Sequence, residues 1–183
     1  MSTYESDRAA ILRLHKDWWE ANHGLDIPLM QTVFPAGDAY LMFNLNGHPY
    51  FGIEEKTALW EHYSTRIEVG MPDVRVMRLD IGADMAYLAA EAVFPVRVLP
   101  EAAQSDEAIQ TDSAMRFDDG TRIRATEVYK RDDGEGAPRW TMWHFHCSEL
   151  PGGDDPRPVF GDTGRERGLG FVPGHESVSV VGR

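Results

Sequence analysis

The sequence predicts an α+β fold, with three N-terminal helices packed on a strongly curved, mainly antiparallel sheet. Three observations carry that expectation. Apolar residues recur at helical spacing up to about residue 65. After Gly70-Met-Pro-Asp73 the period switches to two, giving four mostly long strand candidates. The last of these, Arg139–Ser148, reads Arg-Trp-Thr-Met-Trp-His-Phe-His-Cys-Ser and has a plain solvent face on neither side, as expected of a strand inside a sheet covered on both faces. Strict alternation puts Trp140, Met142, His144, His146 and Ser148 on one face and Thr141, Trp143, Phe145 and Cys147 on the other.

In chain order, Ser2-Thr-Tyr-Glu5 has capping-box spacing and opens a helix to about Asn22, with Ile11, Leu14 and Trp18 along one stripe. Adjacent on a helix, Trp18 and Trp19 diverge, so one belongs to the core and the other can line a cavity or a subunit contact. His23-Gly24 stops the helix. Asp26 caps a short second one from Ile27-Pro28 to Phe34. Ala39–Leu45 reads as a strand, Asn46-Gly47 as a hairpin turn into His48–Phe51, and Ile53–Thr65 as the third helix. Strands follow at Val74–Ile81, Met85–Leu99, Thr121–Arg131 and Arg139–Ser148, with a polar connection over Pro100–Asp118. Residues 1–150 make one domain. The Gly/Pro-rich tail Pro151–Arg183 is expected to be partly disordered or to wrap over a neighbouring subunit.

Composition narrows the function. The chain has 183 residues and a formal charge of −12, which disfavours nucleic acid or an anionic membrane surface and favours a small molecule or protein partner. No apolar run reaches membrane-spanning length, and the polar start of the chain resembles no signal peptide. With Cys147 as its single cysteine, the chain cannot form an internal disulfide, which fits a cytoplasmic location. There is no phosphate loop or nucleophile elbow, and Gly168-Leu-Gly170 follows no strand, so no cofactor is expected.

The order helix, short helix, hairpin, helix, curved sheet, closing in Trp-x-x-x-His-x-His-x-Ser, resembles the nuclear-transport-factor-2-like (NTF2-like) superfamily, especially its SnoaL-like branch. The matching residues are Trp18-x-x-Ala21 with Asp26, Phe34 with Asp38-Ala39, Gly52-Ile53, and Trp140 with His144-Phe-His146-x-Ser148, covering about Arg8 to Leu150. The resemblance implies a cone whose sheet curls round a pocket closed by the first and third helices, with an outer face that commonly dimerises. It places Lys56, Cys147, Glu127 and Glu91 at pocket-lining positions. Asn44 or Phe43 falls near the base of the ketosteroid isomerases and Trp18 near their Tyr, residue types that do not reproduce that chemistry.

Periodicity also turns Glu127 to the less polar face of its strand, and Glu91 lies in the apolar run Leu88–Phe94. A buried carboxylate is costly unless paired or protonated, and either state suits acid–base work; pairing with Arg75 or Arg97 is the structural alternative. Lys56 sits in the first turn of a helix, where a cation is disfavoured, and either joins Glu54 and Glu55 in a solvated cluster or points into the pocket. Tyr40, Tyr63 and Trp143 are the expected flat walls for an aromatic ligand. His144 and His146 share a strand face and could hold a metal, but no third ligand follows at a convincing spacing, since His175 lies in the tail.

The leading expectation is therefore a homodimeric, cofactor-independent enzyme acting on a small aromatic substrate. Lys56, Glu91 and Glu127 would be catalytic, and Trp18, Tyr40, Asn44, Tyr63, Trp143 and Cys147 would bind substrate. Elimination, dehydration, isomerisation or C–C cleavage would suit that set, including formaldehyde release from lignin-derived aromatic dimers. A non-catalytic binding or oligomerisation module and a His144/His146 metal enzyme are the alternatives.

Overall fold

The computed structural model of the protein describes residues 3–105 and 120–150. The expectations for the tail Pro151–Arg183, with His175 and Gly168-Leu-Gly170, lie outside them, as does most of the connection before β7.

Helix α1 spans Thr3–Asn22 and α2 spans Ile27–Val33, capped as expected by the Asp26 side chain, which accepts from Leu29 N at 3.0 Å. The hairpin is β1, Leu41–Phe43, and β2, Pro49–Phe51, followed at once by α3, Gly52–Ser64. Then come β3, Ile67–Val69; β4, Asp73–Ile81; β5, Met85–Phe94; β6, Val96–Val98; and the short α4, Pro100–Ser105. Strands β7, Thr121–Arg131, and β8, Trp140–Glu149, complete the chain described. The main sheet runs β2-β1-β8-β7-β5-β4. Each neighbouring pair is antiparallel except β1 with β8, which is parallel. The aromatic strand is thus interior, as its composition suggests.

Two strand expectations change. Met85–Leu99 is not one strand, because Pro95 has no N–H to donate to a ladder and divides it. The part beyond it, β6, leaves the main sheet and pairs with β3 as a separate two-stranded sheet. Strict alternation also fails in β8. The ladder pairs Val128 with His144 and Tyr129 with Met142, so Trp143 is an extra residue at a bulge. Phe145 and Cys147 therefore share the inner face with Met142 and Trp140, while His144, His146 and Trp143 lie outside. Trp143 Nε1 donates to Asp132 O at 2.9 Å and Lys130 Nζ stands 4.0 Å over its ring.

Helix α1 lies across the inner face and is fixed there by two carboxylates, one from each partner. Asp7 of α1 accepts from both terminal nitrogens of Arg131 on β7 and from Trp140 Nε1 on β8, and these bonds hold its carboxyl below the usual range. Two turns on, the direction reverses. Glu127 of β7, with no exposed surface, accepts from Trp19 Nε1 at 3.0 Å, from His15 Nδ1 at 2.9 and 3.0 Å, and from the Tyr129 hydroxyl. A carboxylate accepting at both oxygens requires the hydrogen on His15 Nδ1, so the tautomer follows from the geometry. Between these clamps Ile11, Leu14 and Trp18 pack against the sheet.

Removing Glu127 leaves His15, Trp19 and Tyr129 with buried, unpaired donors. Glu127→Leu, close in volume, is expected to lower unfolding stability by about 3 kcal/mol, measured by urea denaturation. A loss below 1 kcal/mol would mean that the network is not holding the helix.

Candidate functional site

The inner face of the sheet, α1 and α3 enclose a cavity of about 80 Å³, several times the ~10–15 Å³ that admits one water. Its position depends on a glycine. Gly52 has φ +72°, and a Cβ there would fall 2.8 Å from Asp38 Cα and from Gly37 O. Only glycine lets the backbone turn so tightly onto the 37–38 turn, and Gly52 N bonds Tyr40 O at 2.7 Å. Helix α3 therefore starts against the end of the sheet, and Lys56, one turn further, points inward.

Lys56 is only 2% exposed. No described carboxylate pairs with it. Its Nζ lies 3.1 Å from Met42 Sδ and stands 5.1 and 5.0 Å from the centroids of Trp18 and Trp60, whose rings stack 5.6 Å apart at 17°. A desolvated cation–π contact is worth about 2 kcal/mol, whereas burying an ammonium costs several. Burial wins and brings the Lys56 pKa down to about 7, with only partial opposition from Cys147. At neutral pH the cavity therefore holds an amine that is both acid and base. Cys147 is buried as well, and burial pushes its thiol up to about 11 despite Lys56, so it stays protonated. Its Sγ lies 3.7 Å from Phe43 O and 4.0 Å from Asn44 Oδ1.

Of the residues singled out in the sequence, Lys56, Trp18, Asn44, Tyr63 and Cys147 line this cavity. The other four do not. Tyr40 is wholly buried behind it against Phe34, with ring centroids 4.0 Å apart, and burial raises its hydroxyl well above the ordinary value. Trp143 is on the outer face, put there by the bulge. Glu91 is also outside: it alternates with Ala90 and Ala92, which face inward, and pairs with Arg124 Nε at 3.2 Å. That corrects its expected inward direction; the structural ion pair is what it makes, with Arg124 in place of Arg75 or Arg97. Glu127 does face inward, but its oxygens are taken by α1 and Tyr129, and Trp19 stands between it and the cavity, lining one and bonded to the other. Lys56, Glu91 and Glu127 do not converge. The walls missed in the sequence include Trp60, Met42 and Phe145. Trp60 reads in the sequence only as a core residue, Met42 has no distinguishing signal within Ala39–Leu45, and strict alternation puts Phe145 on the same face as Trp143, which the bulge separates.

His144 and His146 both pack edge-on against Phe43 on the outer face, and His144 Nδ1 lies 2.8 Å from Leu41 O, to which it donates. Among the described residues no cluster of three or more His, Cys, Asp or Glu side chains is arranged to hold a metal ion.

Solved structures share this architecture. A ketosteroid isomerase-like protein from Erwinia carotovora atroseptica superposes with a TM-score of 0.57 at 12% identity, covering 79% of this chain and 96% of that one. An NTF2-like protein from Cytophaga hutchinsonii gives 0.56 at 16% identity, covering 82% and 100%. An NTF2-like protein of unknown function from Pseudomonas putida gives 0.51 at 22% identity, covering 88% and 97%. No protein-family model matches the sequence, and no curated protein matches it. The chain has the NTF2-like fold, an α+β cone of N-terminal helices on a curved mixed sheet. At these identities the likeness shows the fold and leaves the chemistry to the site. No helix described is long and apolar enough to cross a membrane.

The buried amine has a thermodynamic signature. Unfolded, Lys56 keeps its proton up to about pH 10.5; folded, it loses it near 7. Above pH 7 the unfolded chain therefore binds the extra proton, and stability rises with pH. The Cys147 thiol, with an unfolded midpoint of 9.0 and a folded one near 11, works in the opposite direction and begins to offset Lys56 above about pH 8. Unfolding free energy is expected to climb between pH 7 and 8 by up to about 1.4 kcal/mol per pH unit, and that climb should be absent in Lys56→Met. Parallel curves for the two proteins would show that Lys56 is not buried as a neutral amine.

Proposed function

We propose that the protein is a cofactor-independent enzyme that transfers protons on a small aromatic substrate, with Lys56 as the acid–base group. The observation that carries this reading is a lysine buried beside two stacked indoles at the wall of a mostly apolar cavity, with no carboxylate partner among the described residues. A group with its pKa near ambient pH is both populated as base and strong enough as acid. Trp18 and Trp60 offer flat apolar walls, and the protonated Cys147 thiol and the Asn44 amide are polar groups at the same wall.

Eliminations fit this set. Lys56 removes a proton from a carbon or hydroxyl, and the leaving oxygen takes one from the ammonium that results. Cleavage of an aryl 1,3-diol is one version. The terminal hydroxyl loses its proton, the adjacent C–C bond breaks to release formaldehyde, and the benzylic hydroxyl departs as water.

A panel of aryl alcohols and aryl 1,3-diols, read for alkene absorbance and formaldehyde, tests the proposal. Lys56→Met is expected to lower turnover by about 10²–10⁴-fold, and the parent rate to change with a midpoint near pH 7. Glu91→Gln should stay within a few-fold of the parent, because its carboxylate is on the other side of the sheet. Turnover that survives Lys56→Met in a folded protein overturns the assignment, and a panel that neither binds nor reacts favours a non-catalytic binding module.

A further inference from the structure

The same amine that accepts a proton has a lone pair, and the cavity gives that lone pair carbon electrophiles to meet. We propose that Lys56 captures aryl aldehydes, its Nζ condensing with the carbonyl carbon of a ring held in the Trp18–Trp60 cavity to form an imine. The proposal deepens the function given above and rests on the same reading of Lys56 as the reactive group of the cavity.

Four features support it. Lys56 lines the cavity, with no carboxylate among the described residues to hold its Nζ as an ammonium. Burial leaves a large neutral fraction at pH 7, which an exposed lysine lacks. The nearest competing nucleophile, Cys147, stays a thiol, so it offers a proton rather than attacking. The cavity is mostly apolar, and a site poor in water disfavours hydrolysis of an imine once formed.

The step balances without oxidant or reductant. Nitrogen attacks the carbonyl carbon, a C–N bond forms, and the C=O electron pair moves to oxygen, which takes up a proton. The nitrogen then gives up its protons, the oxygen leaves as water, and C=N remains.

The full-length protein supplies its own controls, because its only other lysines are Lys16 and Lys130. It is incubated at pH 7 with benzaldehyde, reduced with borohydride, and examined by intact and peptide mass spectrometry. The expected result is one benzyl group per chain at Lys56, formed about 10² times faster or more than at Lys16 or Lys130, since an ordinary lysine is almost entirely protonated at that pH. Lys56→Arg should abolish the adduct, with circular dichroism confirming that the variant folds. If it does not fold, the site distribution in the parent decides alone. Labelling spread evenly over the three lysines and the N-terminus, or none at Lys56, overturns the proposal. The two claims fail separately: no adduct with a turnover loss in Lys56→Met removes imine capture and keeps proton transfer, while an adduct with unchanged turnover does the reverse.

Discussion

The Glu127 carboxylate beneath α1 is the interaction on which the rest depends. A fully buried carboxylate is tolerable only if its oxygens are occupied, and here α1 supplies His15 and Trp19 while β7 supplies Tyr129. That requirement fixes the rotation and height of α1 on the sheet. Trp18, the next residue along, is thereby turned towards Phe34, Trp60 and Phe145 rather than towards the sheet edge. The cavity wall is a by-product of satisfying one buried charge.

The same arrangement explains why Lys56 is left unpaired. The inner face holds a carboxylate and an amine, and the obvious outcome would be a salt bridge between them. Glu127 is engaged instead by His15, Trp19 and Tyr129, and Trp19 is also part of the cavity wall. With Glu127 already engaged, the amine has only indole faces and a thioether for company, and these offset part of the burial cost. It responds by losing its proton. Charge separation inside one core thus produces a reactive group without a dedicated catalytic partner, which differs from sites built on a convergent carboxylate.

What could be read from the sequence was what is written locally. The capped helices, the Asn46-Gly47 hairpin and the change of period after Gly70 are short-range signals, and the elements they mark are present. Lys56 and Cys147 reached the cavity by their place in a resembling pattern, not by any property of neighbouring residues. The failures share a cause. One extra residue at the bulge in β8 exchanged the faces of Trp143 and Phe145, and no local feature of Trp-His-Phe-His announces it. Pro95 did carry a signal, and the long apolar run around it hid the strand break. Glu91 looked buried from its alanine-rich surroundings and is buried, but burial does not say which face of a sheet a side chain occupies.

The central claim is that Lys56 is a neutral amine at physiological pH inside an aromatic cavity. Nuclear magnetic resonance of protein labelled at lysine Nζ and Cε reads this directly, with three lysines to assign and Lys56→Arg to identify the signal. The account expects one resonance to titrate with a midpoint near 7 and to be missing from Lys56→Arg. A protein in which no lysine resonance titrates near 7 would contradict it.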